Sequence, residues 1–223
     1  MVPPTVSISA GHSGPEKRAV ITRKLPADAQ TRVHEFAQQA RVTPFGVLTS
    51  GVLAAMREVT GDPVVGITTN QHGRTLRRTV EIAGLFVQTV PIHLGRGVKS
   101  RLDTVREVFD RTLDVFEYTV PLLVAGRYWN EALMVPDRAA GVYVGLNDQP
   151  PSAYSLPPLT GVATEDVFME FPGGKRWPET LVVAWTLYDS VAELAARYNE
   201  NYFPSAAVEQ ILEAAERFVL PTG

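Results

Sequence analysis

Asp62 to Arg74 reads D-P-V-V-G-I-T-T-N-Q-H-G-R, and Val80 to Leu94 reads V-E-I-A-G-L-F-V-Q-T-V-P-I-H-L. Val64 to Thr68 is short, apolar and β-branched, the composition of a buried strand. Asn70 to Arg78 is polar, carries four arginine or histidine side chains, and reads as a loop. Leu85 to Leu94 returns to strand. Pro91 within it marks an edge or a bulge, because proline has no N–H to give a central ladder.

Upstream, Arg18 to Leu25 alternates like a short strand, and Ala27 to Ala40 has helical spacing with Val33, Phe36 and Ala37 on one face. A second helix carries its own punctuation. Thr43 is placed to cap it, Pro44 suits its first position, Phe45, Leu48, Val52, Ala55 and Met56 form its stripe, and Gly61 closes it. Downstream, Ser100 and Asp103 resemble a capping box opening a long helix with a stripe of Leu102, Val105, Phe109, Leu113 and Phe116. Pro121 to Met134 reads as a further helix or helical turn, and Gly141 to Leu146 as a strand before a Pro-rich loop from Asp148 to Leu159. Val167 to Phe171 and Leu181 to Leu187 read as strands joined by a turn at Pro172, Gly173 and Gly174. Val191 to Tyr202 is ambiguous by periodicity. Ser205 caps a last helix that turns Val208, Ile211, Leu212, Ala215, Phe218 and Val219 inward. Strands and helices interleave without repeat, which predicts a two-layer α/β sandwich with a mixed β-sheet. Residues 1–16, rich in Pro, Gly and Ser, read as a flexible leader, and residues 17–223 as one domain.

The bulk numbers narrow the function classes. A chain of 223 residues with 45% hydrophobic and 20% charged side chains can bury a real core. A net charge of -3 gives no electrostatic case for nucleic acid. No apolar run approaches the ~20 residues that span a bilayer, so no membrane partner is expected. Without cysteine there is neither a disulfide nor a thiolate site, and a cytoplasmic setting is the expectation.

The V-V-G-I-T-T-N-Q-H-G-R and I-A-G-L-F-V-Q-T segments resemble the core of the second lobe of nonribosomal peptide synthetase condensation domains, where V-V-G-x-x-x-x-x-R precedes I-G-x-F-V-N-T. The likeness runs from about Leu25 to Leu220. L-P-A-D-A-Q-T-R-V-H-E-F-A-Q-Q-A-R-V-T-P-F resembles the entry to that lobe. A-R-Y-N-E-N-Y-F-P-S-A-A-V-E-Q-I-L resembles its penultimate strand and closing helix, which makes Val191 to Tyr202 a strand. The resemblance implies a chloramphenicol acetyltransferase-like lobe that meets an N-terminal lobe across a tunnel. Phosphopantetheine arms of carrier proteins enter that tunnel, so no cofactor is bound directly. The family forms amide bonds with the second histidine of H-H-x-x-x-D-G, carried on the other lobe, and no such string occurs here. No catalytic residue is therefore assigned, and the lobe is expected to be inactive alone. Gln88 stands where the family has Asn, and Glu117 where it has the His of H-Q-D-x-P-F-E.

The resemblance implies tunnel-side roles for Asn70, Arg74, Phe86, Gln88, Thr89, Asn147 and Asp148. Each has a plainer reading. Phe86 suits a strand packed in its own sheet, Arg74 can brace its loop as readily as hold a substrate carboxylate or thioester oxygen, and Asn147 and Asp148 simply end a strand. His34 lies among polar residues on a helix and reads as a solvated surface group, while His72 sits in the polar loop. No pair of histidines has metal-ligand spacing. G-H-S-G-P at Gly11 to Pro15 fails the nucleophile-elbow pattern, and G-G-K-R at Gly173 to Arg176 is no phosphate loop. Trp129, Trp177 and Trp185 read as core or interface aromatics. The expected partners are the N-terminal lobe, carrier proteins and, through an exposed lobe face, a second copy. The alternative is a non-catalytic module that recruits a carrier protein. A free-standing acetyltransferase would need its own H-x-x-x-D.

Overall fold

The computed structural model describes residues 17–71, 88–97, 99–117, 141–147, 179–188 and 191–221. The proposed leader, the Pro121 to Met134 helix and the Val167 to Phe171 strand lie outside them. Six strands and four helices follow in order: β1 (Arg18–Lys24), α1 (Ala29–Ala40), α2 (Pro44–Thr60), β2 (Val65–Gln71), β3 (Gln88–Leu94), α3 (Arg101–Glu117), β4 (Gly141–Asn147), β5 (Glu179–Tyr188), β6 (Val191–Asn199) and α4 (Ser205–Val219). The strands form one sheet in the order β1-β6-β5-β4-β2-β3. β2, β4 and β5 run parallel, while β1, β6 and β3 pair antiparallel. This is the mixed two-layer α/β architecture that the interleaved pattern predicts.

Alternation assigns the faces. On β5, Leu181, Val183, Trp185 and Leu187 are buried, and they share a side with Val142 and Val144 of β4 and Leu194, Ala196 and Tyr198 of β6. The helices cover that side. Pro91 falls in β3, which among the described residues is an edge strand and so suits a residue without an N–H.

α2 is the centre of the helical layer. Thr43 Oγ1 accepts from the Gly46 N–H at 3.1 Å, Pro44 opens the first turn, and Gly61 ends the helix in the left-handed region at φ 70°. Every residue from Gly46 to Leu53 is buried, so the helix is enclosed well beyond its predicted stripe. Burying Leu48, Leu53 and Met56 contributes roughly 1.5–3 kcal/mol each. The enclosure depends on Gly51. A Cβ there would lie 2.5 Å from Val219 Cγ2 and 3.3 Å from the Ala215 carbonyl oxygen, so α4 approaches to backbone contact.

Arginines tie the carboxyl end of α4 into this layer. Arg101 donates through Nη2 to the Val219 carbonyl at 2.7 Å, with its guanidinium 3.6 Å from the Phe36 ring centroid. Arg32 donates to the Pro221 carbonyl at 2.7 Å. Cations here complement the negative end of the helix dipole. Arg23 of β1 pairs with Glu216 of α4 at 2.8 Å.

Three local expectations are corrected. Asn70 and Gln71 belong to β2, not to a loop, because both pair with β3. Leu113 is 50% exposed, and α3 instead buries Thr104, Val105, Val108 and Thr112. Thr112 is tolerated there because its hydroxyl donates to the Val108 carbonyl at 2.7 Å. Ser205 is the first helical residue of α4, preceded by Pro204 at the cap, and its hydroxyl donates to Glu200 at 3.1 Å rather than capping.

Gly51→Ala is expected to cost about 1–3 kcal/mol by overpacking a β-branched neighbour and a backbone oxygen. At Gly61, which has nothing within 4 Å, alanine should cost only about 1 kcal/mol of backbone strain. Urea midpoints of the two variants check the ranking, and an equal or smaller loss at Gly51 would contradict the close approach.

Candidate functional site

Strand register gathers the candidate residues. Asn70 faces Thr89 and Gln71 faces Gln88 at the far end of the β2–β3 pair. Thr68 is level with Tyr143 in the parallel β2–β4 pair, so the carboxyl ends of both strands point the same way. Asn147, the last residue of β4, is in turn level with Thr186 of β5. Asn70, Gln88, Thr89 and Asn147 thus share one end of the sheet, at the carboxyl ends of its parallel strands. In open α/β sheets ligands bind at that end. Asn70 is exposed there. Arg74, Phe86 and Asp148 lie outside the described residues.

Two adjacent threonines that the sequence reading passed over hold this end together. Thr69 is buried, and its Oγ1 donates to the Val144 carbonyl at 2.8 Å; Thr68 Oγ1 donates to the Val142 carbonyl at 3.3 Å. These hydroxyls stitch β2 to β4 where the backbone ladder is short, and so fix Asn70 relative to Asn147. The signal was the T-T pair at the end of an apolar strand, where β-branched hydroxyl residues can bond across to a neighbour. Burial raises the pKa of the Tyr143 phenol, level with Thr68, above its usual value.

On the helical side of the same end lies a cavity of about 210 Å³ lined by Val33, Thr43, Phe45, Leu146 and Leu187, with His34 contributing to its wall. His34 is exposed, as its polar helical surroundings predict. The cavity is lined mainly by carbon and stands beside the first turn of α2 and the last residues of β4 and β5.

His93 sits elsewhere, on the edge strand β3. Its Nε2 lies 2.6 Å from Arg111 Nη1, and Arg111 also binds Glu107 at 2.9 Å, which Lys99 reaches at 2.8 Å. No motif marks this cluster in the sequence, because His93 and Arg111 meet only once α3 folds back onto β3. It braces α3 against the sheet edge. The imidazole keeps solvent contact, but partial desolvation, and then Arg111, lower its pKa, with Glu107 opposing. Among the described residues, no group of three His, Asp or Glu side chains could hold a metal ion. No helix among them is long and apolar enough to cross a membrane.

No family model and no curated protein matches the chain. Solved structures do match its fold. The EpoB cyclization-docking bidomain from Sorangium cellulosum superposes with a TM-score of 0.70 at 15% identity, over 99% of this chain and 46% of that one. The condensation domain from Monacolin K polyketide synthase MokA gives 0.69 at 14%, over 99% and 53%. The first condensation domain of the calcium-dependent antibiotic synthetase gives 0.65 at 16%, over 98% and 49%.

The His93 contact has a pH signature. Its folded pKa is below the ordinary 6.5, so the unfolded chain binds more protons in mild acid. The contribution is therefore full above the unfolded value and lost as pH falls through the folded one. Urea midpoints between about pH 5 and 8 should fall more steeply with acid for the wild type than for His93→Gln. Parallel slopes would show that the imidazole carries no such linkage. The chain spans about half the length of the structures it matches, and its fold is that of one lobe of a condensation domain.

Proposed function

We propose that this chain is the C-terminal half of a condensation-type acyltransferase, and that it completes a tunnel with an N-terminal lobe carrying H-H-x-x-x-D-G. In that assembly it supports amide-bond formation between acyl and aminoacyl thioesters presented on carrier-protein phosphopantetheine arms. The observation that carries this reading is the sheet end itself. Asn70, Gln88, Thr89 and Asn147, four of the seven residues expected on the tunnel side, share that end in a fold that covers about half of several condensation domains.

The division of chemistry follows from the residues. An aminolysis needs a group that orients the amine and donors near the developing oxyanion. Asn70, Gln88, Thr89 and Asn147 are amide and hydroxyl side chains, which can donate and accept but cannot serve as a base near neutral pH. Their proposed part is to position the thioester and the phosphopantetheine amides, leaving proton transfer to the histidine of the other lobe. The parallel-strand ends make them a rigid platform, since Thr68 and Thr69 hold β2 and β4 in register.

A second reading is a non-catalytic module that docks a carrier protein. Gln88 in place of Asn and Glu117 in place of His favour it. Loaded carrier protein titrated against this chain alone separates the two. The half-enzyme reading expects little binding until the other lobe is added, whereas the module binds unaided.

Mixing the chain with a histidine-bearing lobe and two loaded carrier proteins should yield an amide product, read by mass spectrometry, that neither lobe gives alone. Asn147→Ala and Asn70→Ala should each lower the single-turnover rate roughly tenfold by loosening substrate position. Wild-type rates in both variants would remove the sheet end from the site. Product from this chain alone would refute the half-enzyme reading.

A further inference from the structure

The proposed tunnel leaves unused the cavity on the helical side of the sheet. Its floor is Val33 of α1, Leu48 of α2 and Leu187 of β5, all buried. Its mouth lies at His34 and Thr43, both exposed, and the half-buried Phe45 and Leu146 form its sides. The corner between α1 and α2 is fixed by local bonds. Arg41 ends α1 in the left-handed region at φ 60°, with its N–H bonded to the Gln38 carbonyl at 3.1 Å. The Val42 N–H reaches the Ala37 carbonyl at 3.0 Å, and Pro44 opens α2 two residues later. The walls are therefore set before any ligand arrives, which lowers the cost of binding.

Size and lining together select an occupant. At about 210 Å³ the cavity exceeds the voids of a close-packed interior, which are seldom larger than a water molecule. A carbon-lined cavity of about 150 Å³ accepts benzene, so this one has room for such a ring and about two further carbons. Whole small molecules occupy pockets of about 300–1,000 Å³, so one group of a ligand fits here rather than a drug-sized whole. Water is poorly served. The volume suits about seven molecules at roughly 30 Å³ each, and a buried water needs about two to four polar partners. Thr43 Oγ1 already accepts from the Gly46 N–H, which leaves its O–H as a donor, and His34 adds its imidazole. No Asp, Glu, Lys or Arg lines the cavity among the described residues. A charged group would lose its hydration there without a counter-charge, whereas a hydrocarbon has no such penalty.

We propose that this cavity is a binding site for a neutral hydrocarbon group of about six to eight carbons, with any polar atom of the ligand directed to the Thr43 hydroxyl at the mouth. Its walls include none of Asn70, Gln88, Thr89 and Asn147. The site thus stands or falls apart from the acyl chemistry proposed above, and its test needs no second lobe.

Toluene is the probe, titrated against the full chain and followed by ligand-observed NMR. It should bind saturably with a Kd of about 1 mM and raise the thermal midpoint. Benzoate has the same ring with a charge, and it should bind at least about tenfold more weakly. Leu146→Phe fills the cavity from a half-buried wall, so it should keep the circular dichroism spectrum and weaken toluene roughly tenfold. If Leu146→Phe fails to fold, Phe45→Ala carries the test, since losing that wall should weaken toluene to a similar extent. Leu113→Ala, which removes an exposed apolar side chain elsewhere, should leave the affinity unchanged. Absence of saturable binding, equal affinity for benzoate, or wild-type affinity in the wall variant would overturn the proposal. So would a loss in Leu113→Ala as large as in the wall variant, because toluene would then be held by exposed apolar surface.

Discussion

The close approach of α2 and α4 at Gly51 is the contact on which the rest of the lobe depends. One missing Cβ lets the last helix lie against the backbone of the most buried one. With α4 in place, α2 is enclosed by helix on its flanks and by the sheet beneath, so a contiguous run from Gly46 to Leu53 leaves water. Close-packed interiors have few spare voids, and a shift in one helix is passed to its neighbours. Arg101 then secures the arrangement at its rim, stacking on Phe36 of α1 while donating to the Val219 carbonyl at the end of α4. Three helices are thus referenced to one carbonyl cluster.

That layer matters to the candidate site because the first turn of α2 lies against the carboxyl ends of β4 and β5. Thr43, Phe45, Leu146 and Leu187 bound a common cavity there. The first turn of α2 and the ends of β4 and β5 are thus neighbours across that cavity. Sites built on strand ends are held more exactly than sites built on loops. The lobe needs no mobile element among its described residues to bring Asn70 near Asn147. Strand order and two threonine hydroxyls do so.

Local chemistry was legible where a residue's role is fixed by its own neighbours. Thr43, Pro44 and Gly61 marked the ends of α2 correctly because capping and left-handed closure act over a few residues. Pro91 declared an edge for the same reason. Polarity misled at Asn70 and Gln71, whose strand character comes from pairing with β3 rather than from burial. It misled again on α3, where Thr104 and Thr112 face inward and Leu113 outward. Periodicity did not resolve Val191 to Tyr202, which the family resemblance placed as a strand; β6 ends at Asn199, and its alternation shows only in the buried Leu194, Ala196 and Tyr198. That Asn70, Gln88, Thr89 and Asn147 share one end of the sheet was not readable residue by residue. It follows from the β4-β2-β3 order, a matter of tertiary register.

The pairing of Arg18 with Asn199 and of Arg23 with Glu216, residues 193 positions apart in the second case, has a temporal consequence. Contacts between such distant segments require a large loop to close before they yield any stabilisation. On the ribosome, β1 leaves the exit tunnel long before β6 and α4 exist. The strand must wait, with Val20 and its outward amides accessible, until nearly the whole lobe has been translated. β1 therefore cannot join this sheet until β6 has been synthesised. Its three cations, Arg18, Arg23 and Lys24, then act as gatekeepers that disfavour pairing of a nascent β-strand with copies emerging on neighbouring ribosomes.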